Sequence, residues 1–210
     1  MSLPHQLSCP DWPNPEPPDK LPIIARNAIA LYDAVVKSNV QERIIHEGDI
    51  KTWHERLFRG AVPVPYYAGH YRSNDSRFPC LQVDVEVNGI YGSPFAYVPA
   101  HMQAFSSEMG EFILETDRFL KSKSSKIQKA AAAVQLATFL MGRLIQIHPF
   151  LNGNGRTARV LANWCFNRYG YHMPFFLDRP AAVDYAIASA SAMRGDMTPL
   201  YRYLLTILAQ

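Results

Sequence analysis

The stretch that decides the fold reads His148-Pro149-Phe150-Leu151-Asn152-Gly153-Asn154-Gly155-Arg156-Thr157-Ala158-Arg159. It places a histidine, a glycine-rich turn and two arginines within one short segment. A neutral imidazole can accept a proton, and guanidinium groups match the geometry of phosphate oxygens. The stretch therefore contains the parts needed to hold a polyphosphate and to remove a proton beside it.

The segment before this stretch has the pattern of a helix. Its apolar residues recur at helical spacing, and Ser124 or Ser125 is suited to cap the N-terminus. Pro149 ends the helix, because the residue before a proline is driven out of the helical region. His148 is therefore predicted at a helix C-terminus, where the helix dipole favours a cation.

A second helix is predicted over 156–169, with Gly170 just beyond its C-cap. The turn over 152–155 joins the two helices, and its residue types tolerate positive φ. Successive backbone N–H groups can then point inward and form an anion-binding nest at the positive end of the second helix. Arg156 and Arg159 are three residues apart and share a helix face. These features converge on one bound polyphosphate beside the histidine.

Each part of this pattern also has an ordinary explanation. A Gly-Asn-Gly turn between helices is most often only a turn, and a histidine at a helix end is most often a cap. Two arginines on one helix are most often a solvated face. The combination at fixed spacing is much rarer than any single part, and the combination carries the hypothesis of a polyphosphate site.

The stretch resembles the signature of the Fic family, His-x-Phe-x-(Asp/Glu)-Gly-Asn-Gly-Arg-x-x-Arg, at every specified position but one. The resemblance covers roughly residues 23–208, although the motif carries most of its specificity. Outside the motif it includes Gly69-His70-Tyr71-Arg72, Asn163, Tyr185 and Gly195-Asp196.

The resemblance implies a protein adenylyltransferase, which moves AMP from ATP to a serine, threonine or tyrosine hydroxyl of a target protein. His148 would be the general base for that hydroxyl. Phe150 would pack inward and anchor the loop. The nucleotide phosphates would be held by Gly153, Asn154, Gly155, Arg156 and Arg159. Phosphate positioning and charge neutralisation would supply most of the catalysis, so no covalent enzyme intermediate is needed.

The exception is Asn152, which stands at the acidic position of the motif. In the family that carboxylate helps to hold Mg²⁺, and an amide can coordinate the ion only without a formal charge. Asn152 is thus the expected metal ligand, but a weak one. Two alternatives follow: a catalytically weak or inactive module for binding nucleotide or protein, and a Fic enzyme that transfers another phosphate-linked group.

The fold class predicted is mainly α, with a single Fic-type helical domain over 23–210 and a β-hairpin flap. Helical patterns cover 23–43 and 49–59. A proline-rich leader over 1–22 is expected to lie extended on the surface or to be loosely ordered.

Residues 81–87 alternate apolar and polar side chains, and residues 90–98 can return beside them, which predicts a β-hairpin around Asn88-Gly89. The hairpin could simply cap the helices. We favour a flap whose open edge pairs with an extended target segment, as the resemblance implies. The residues expected in that target-binding flap are Leu81, Val83, Val85, Val87 and Ile90.

Composition limits the remaining classes. The formal net charge is only +3, without a basic run, so nucleic acid is not indicated as a partner. Cys9, Cys80 and Cys165 show neither disulfide nor zinc spacing, which favours a reducing compartment and a cytoplasmic location. We expect no membrane span, because no apolar run approaches about 18 residues, and no signal peptide is recognisable.

Regulation is open at this point. Many Fic proteins carry an inhibitory helix with Ser/Thr-x-x-x-Glu-Gly/Asn, whose glutamate pairs with the second motif arginine, here Arg159. The segments 38–42 and 107–111 match only its first part, and ordinary helix faces explain both. A separate inhibitory protein, or no inhibitor at all, remains as the alternative.

Overall fold

The computed structural model describes residues 9–37, 43–172, 180 and 183–209. Helices dominate this part of the chain and confirm the mainly α fold class. They are α1 (Leu21–Lys37), α2 (Glu47–Phe58), α3 (Val98–Lys121), α4 (Lys126–Ile147), α5 (Asn154–Arg168), α6 (Val183–Met193) and α7 (Thr198–Leu208). Short 3₁₀ turns occupy 65–67, 79–81 and 95–97, and one strand pair joins β1 (Glu86–Val87) to β2 (Ile90–Tyr91).

Helix α4 is the centre of the domain and packs against α3, α5, α6 and α7. Ser125 caps its N-terminus in a capping box with Gln128, as the sequence predicted for one of the two serines. By length and composition alone α4 could cross a membrane, with a mean hydropathy of 1.4 over its most apolar window. Most of that window (61%) is buried inside the domain, so packing accounts for its apolar character.

The other predicted helices are confirmed with small shifts in their ends. Helix α5 starts two residues earlier than expected, and Gly170 follows its C-cap with φ of 77°. The N–H groups of Gly170 and Tyr171 bond to the carbonyls of Asn167 and Phe166, which is a Schellman ending. Residues 38–42 of the first predicted helix lie outside the described residues.

The hairpin is much shorter than the alternation predicted. Asn88 and Gly89 have φ of 52° and 77°, as a type I′ turn requires, but only two residue pairs flank them. The prediction that Leu81 belongs to the target-binding flap is wrong. Leu81 lies in a 3₁₀ turn and is fully buried in the core, so it cannot face a target. Beyond these pairs a backbone bond from Gly92 N–H to Val85 O at 3.0 Å continues the pairing, and no further strand joins the hairpin within the described residues.

The leader differs from expectation. Trp12 and Glu16 are buried, so residues 9–20 pack on the helical domain instead of lying loosely on its surface. Cys9 forms a disulfide with Cys80, with 5.4 Å between the Cα atoms, while Cys165 is free and buried. The expectation of no disulfide is therefore wrong, because the fold brings together two cysteines 71 residues apart. The leader–domain boundary stays a prediction. The cytoplasmic location also stays a prediction, and the cysteines no longer support it.

Candidate active site

His148 is held at the end of α4 in the left-handed region, with φ of 53° and ψ of 57°. Its backbone N–H bonds to Leu144 O at 2.9 Å, and its Nδ1 lies 3.1 Å from Ile145 O. A carbonyl can only accept, so Nδ1 carries the proton and Nε2 presents a lone pair. The tautomer required of a general base is thus set by the backbone of α4.

The charge state of His148 also suits a base. Burial lowers its pKa to about 4, and the nearby Arg72 guanidinium acts in the same direction. The helix dipole was expected to favour a cation here, and that expectation is wrong, because desolvation outweighs it. The imidazole is therefore neutral at pH 7 and can accept a proton.

Arg72 fixes the backbone conformation at His148. Its side chain is fully buried (0% exposed) and donates to four carbonyls. These are His148 O at 3.0 and 2.6 Å, Val83 O at 3.0 Å, Ser93 O at 2.8 Å and Ile147 O at 3.3 Å. The guanidinium thus ties both ends of the hairpin segment to the histidine. Burial lowers the Arg72 pKa to about 10, so the group stays charged at neutral pH.

The interior of the loop is built on Phe150, which is fully buried as expected. Its ring stacks on the His54 imidazole with centroids 3.6 Å apart. Gly69 N–H donates to His54 Nδ1 at 2.9 Å, so His54 Nε2–H donates to Asn152 O at 3.0 Å. Burial lowers the His54 pKa to about 3 and keeps the ring neutral. His54 is thus a positioning residue, which holds the loop at Asn152 and Phe150.

The turn over 152–155 contains a single residue with positive φ, Gly153 at 78°. A Cβ there would overlap the Phe58 ring, so the position requires glycine for both reasons. Asn154 is already helical, and its side-chain amide pairs with both the N–H and the C=O of Phe150 at 2.9 Å. Thr157 N–H makes the first intrahelical bond, to Gly153 O. The preceding N–H groups of α5 form the positive helix end expected to face an anion.

The two motif arginines differ in their surroundings. Arg159 is buried, and its Nη1 donates to the Tyr185 hydroxyl of α6 at 3.0 Å. Arg156 is paired with both carboxylate oxygens of Glu16 from the leader, with Nη2 to Oε2 at 3.0 Å. Sequence reasoning missed this partner, because a leader of prolines gave no sign that it folds back over the motif.

One cavity brings most of the predicted site residues together. It is lined by His148, by the loop and helix start over 152–156, by Arg159, and by α6 residues including Tyr185 and Ser189. Val87 and Ile90 of the hairpin line its edge, whereas Val83 and Val85 do not. The flap prediction therefore applies to the tip of the hairpin. Gly92 permits this approach, since a Cβ at that position would overlap the Cβ of His148.

The residues at the cavity do not fit a magnesium ion in this conformation. Among the described residues, the cavity lining contains no aspartate or glutamate, and there is no cluster of three potential metal ligands. Asn152 Oδ1 accepts from Gly153 N–H at 2.7 Å, while Nδ2 points towards Pro13 O at 3.3 Å. Its amide is thus engaged with the loop and the leader.

One partial inhibitory motif, residues 107–111, does not line the cavity. Residues 107–111 lie within α3, and the Ser107 and Glu111 side chains are exposed. The other segment, 38–42, lies outside the described residues.

A neutral imidazole, a helix N-terminus and two guanidinium groups surround one cavity on a helical core. The Fic/DOC family model matches residues 44–166, which is more than half of the chain. The chain belongs to the Fic/DOC family.

The chain is also similar in sequence to individual proteins of this family. A protein adenylyltransferase Fic from Drosophila ananassae is 30% identical over 167 residues, which is 80% of this chain and 28% of that protein. The chain thus spans little more than a quarter of that relative's length.

Solved structures confirm the fold. The BepC effector of Bartonella tribocorum, crystallised with AMPPNP, superposes with a TM-score of 0.63 at 15% identity, over 91% of this chain and 87% of that one. An N-terminal Fic domain of a Bartonella effector from Bartonella sp. AR 15-3 gives a TM-score of 0.62 at 18% identity, over 90% and 80% respectively.

Proposed function

We propose that the protein transfers AMP from ATP to a serine, threonine or tyrosine hydroxyl of a target protein. The observation that carries the proposal is the neutral imidazole of His148, with Nε2 available, in one cavity with the N-terminus of α5 and Arg159. The activity named for the Drosophila relative and the nucleotide named for the BepC structure support it. Members of the family need a protein target, and its identity lies outside this chain.

In the proposed reaction His148 acts as the base, and Arg156, Arg159 and the N-terminus of α5 act on the phosphates. His148 Nε2 accepts the proton of the target hydroxyl as its oxygen attacks the α-phosphorus of ATP. The new oxygen–phosphorus bond forms while the bond to the β-phosphate oxygen breaks, and pyrophosphate leaves with the electron pair. Arg156, Arg159 and the helix end neutralise the growing negative charge. The proton on Nε2 returns to solvent or to the products.

The hairpin tip is the proposed docking surface for the target. Val87 is 36% exposed and borders the same cavity as His148. An extended target segment that pairs with this short edge would place its hydroxyl near the base. The two residue pairs of the hairpin limit this pairing to a few backbone hydrogen bonds.

Magnesium stays a prediction. Magnesium is commonly held by substrate phosphates together with few protein ligands. Asn152, at the acidic position of the motif, carries no charge, so the phosphates of ATP would supply the negative charge.

The test is transfer of label from ATP, GTP, UTP and CTP, with and without Mg²⁺, by the wild type and by His148→Ala. We expect transfer from ATP, and a loss of about 10²–10⁴ in rate in the variant. Nucleotide affinity should stay within a few fold, because the base contacts the target hydroxyl. His172→Ala is the matched control, since His172 is an exposed histidine after α5.

Undiminished transfer by His148→Ala would remove the base assignment. Binding of ATP without any transfer would instead favour the alternative of a catalytically weak nucleotide-binding module. That alternative draws support from the missing carboxylate at Asn152.

A further inference from the structure

Residues 9–17, here called the strap, lie across the motif loop. Trp12 is buried, with its ring edge-on to Phe58 at 5.1 Å and stacked on Tyr67 at 6.1 Å between centroids. The Tyr67 hydroxyl donates to Pro10 O at 2.8 Å, and the Cys9–Cys80 disulfide fixes the beginning of the strap. Apolar packing, a hydrogen bond and a covalent link thus hold one segment beside the cavity.

The strap places a carboxylate on a phosphate-binding group. Glu16 is only 4% exposed, and both of its oxygens pair with the Arg156 guanidinium. A carboxylate and a phosphate use the same two-pronged geometry on arginine, so they compete for it. While Glu16 is in place, the Nη1 and Nη2 donors that face it are occupied, and its carboxylate repels a nucleotide phosphate at the same position.

The asparagine at the acidic motif position fits this arrangement. Asn152 Nδ2 points towards Pro13 O at 3.3 Å and Trp12 O at 3.5 Å. An amide nitrogen can donate to these carbonyls, whereas a carboxylate would face them with like partial charge. Asn14, next along the strap, lines the cavity itself. The departure from the family pattern therefore coincides with the place where the strap crosses the loop.

The strap also carries a feature that favours its release. The Trp12 indole N–H is buried without a hydrogen-bond acceptor among the described residues. A buried donor without a partner loses its hydration and gains nothing in return. Opening would return this group to water, which offsets part of the packing lost.

We propose that the strap blocks the chain's own nucleotide site, with Glu16 on Arg156 and the Cys9–Cys80 disulfide as a tether, so that phosphate binding depends on thiol reduction. The proposal rests on the proposed function, because it takes Arg156 as a phosphate ligand. It differs from the inhibitory-helix motif, whose glutamate is expected at Arg159. Here the blocking glutamate lies in a proline-rich segment and meets the other arginine.

Release of the tether needs an external dithiol. The dithiol gives two electrons and two protons to the disulfide, the S–S bond breaks, and Cys9 and Cys80 become thiols. The dithiol becomes its own cyclic disulfide. The strap is then held only by Trp12, the hydrogen bonds and the Glu16–Arg156 pair, which a polyphosphate can displace.

The experiment measures binding to the full chain by calorimetry, with inorganic tripolyphosphate and ATP as probes. Glu16→Gln keeps the shape but removes the charge, and we expect it to tighten tripolyphosphate by about tenfold. Asp19→Asn is the matched control. Asp19 lies two residues after the strap, its side chain is 69% exposed, and it pairs only with Lys20 at 3.2 Å among the described residues. The substitution should leave affinity within twofold.

The tether is tested by the same titration with and without a dithiol. Reduction should tighten tripolyphosphate binding by the wild type and have no effect on the Cys9→Ser/Cys80→Ser double variant, which should already bind tightly. Loss of Trp12 burial gives a second readout, a red shift of tryptophan emission on reduction with ligand present. Thermal melting of each variant checks that it folds.

Weaker tripolyphosphate binding by Glu16→Gln would overturn the proposal that the strap blocks the site, because Glu16 would then position Arg156 for the ligand. Equal affinities of wild type and variant, reduced or not, would overturn it as well. Tighter tripolyphosphate binding without AMP transfer in any state would leave the strap standing and reject the proposed function.

Discussion

Replacing Arg72 by lysine keeps a positive charge in the core but removes the planar fork that reaches four carbonyls. The native guanidinium makes five hydrogen bonds, to His148, Ile147, Ser93 and Val83. A lysine ammonium is compact and sits on a different stem. We expect it to reach two of the four carbonyls at most, so at least two of these bonds to a charged donor are lost.

The size of the effect follows from that count. Each lost bond to a charged donor is worth about 1.5–3 kcal/mol, so two of them give a loss of roughly 3–6 kcal/mol. For a chain of this size about 1 kcal/mol moves Tm by roughly 2–4 °C, so Arg72→Lys should lower Tm by about 6–24 °C. Calorimetric or circular dichroism melting at neutral pH measures it directly.

Arg77→Lys is the control for the same chemical change. Arg77 pairs with Asp75 at 2.6 Å but is 78% exposed, so its substitution should leave stability nearly unchanged. If Arg72→Lys melts within 1–2 °C of Arg77→Lys, roughly the scale of a surface substitution, the buried fork does not hold the loop and the role assigned to Arg72 is refuted.

Further substitutions test other parts of the site. Gly153→Ala should lose more free energy of unfolding in urea than Gly89→Ala, because both have positive φ but only Gly153 faces an aromatic ring; equal losses would refute the overlap. Burial lowers the pKa of His54 to about 3 and of His148 to about 4, so stability should be full above about pH 6.5 and should fall towards pH 4, by up to about 1.4 kcal/mol per pH unit for each histidine. A flat profile of urea midpoints from pH 7 to 4.5 would contradict this. Asn152→Asp should lower the Mg²⁺ concentration needed for half-maximal transfer, and reduced transfer with every nucleotide would show that asparagine is a specialised choice.

Local signals predicted the helices around the site well. The Ser125 capping box, Pro149 and Gly170 act within one helical turn, so the sequence alone placed the ends of α4 and α5 and put His148 at their junction. The same locality explains the type I′ turn at Asn88-Gly89. Its strands were overpredicted, because alternation indicates a strand only where a neighbouring strand can pair with it.

Long-range partners were beyond sequence reasoning. Only the complete fold brings together the segments that these contacts join: the hydrogen bonds from Arg72 to four carbonyls, the Glu16–Arg156 pair and the Cys9–Cys80 disulfide. His54 did carry a readable signal. It lies on the apolar stripe of α2 with Ile50 and Leu57, a position where a polar side chain needs buried hydrogen-bond partners.

The left-handed backbone of His148 sets stability and chemistry against each other at one position. An L-residue held there loses about 1–2 kcal/mol relative to the right-handed region, and glycine loses almost nothing. His148→Gly would relieve the backbone and remove a partly buried imidazole, but it would also remove the base. A stability screen without an activity readout would therefore reward this substitution. Thermostabilised versions of the protein should be checked first at residue 148.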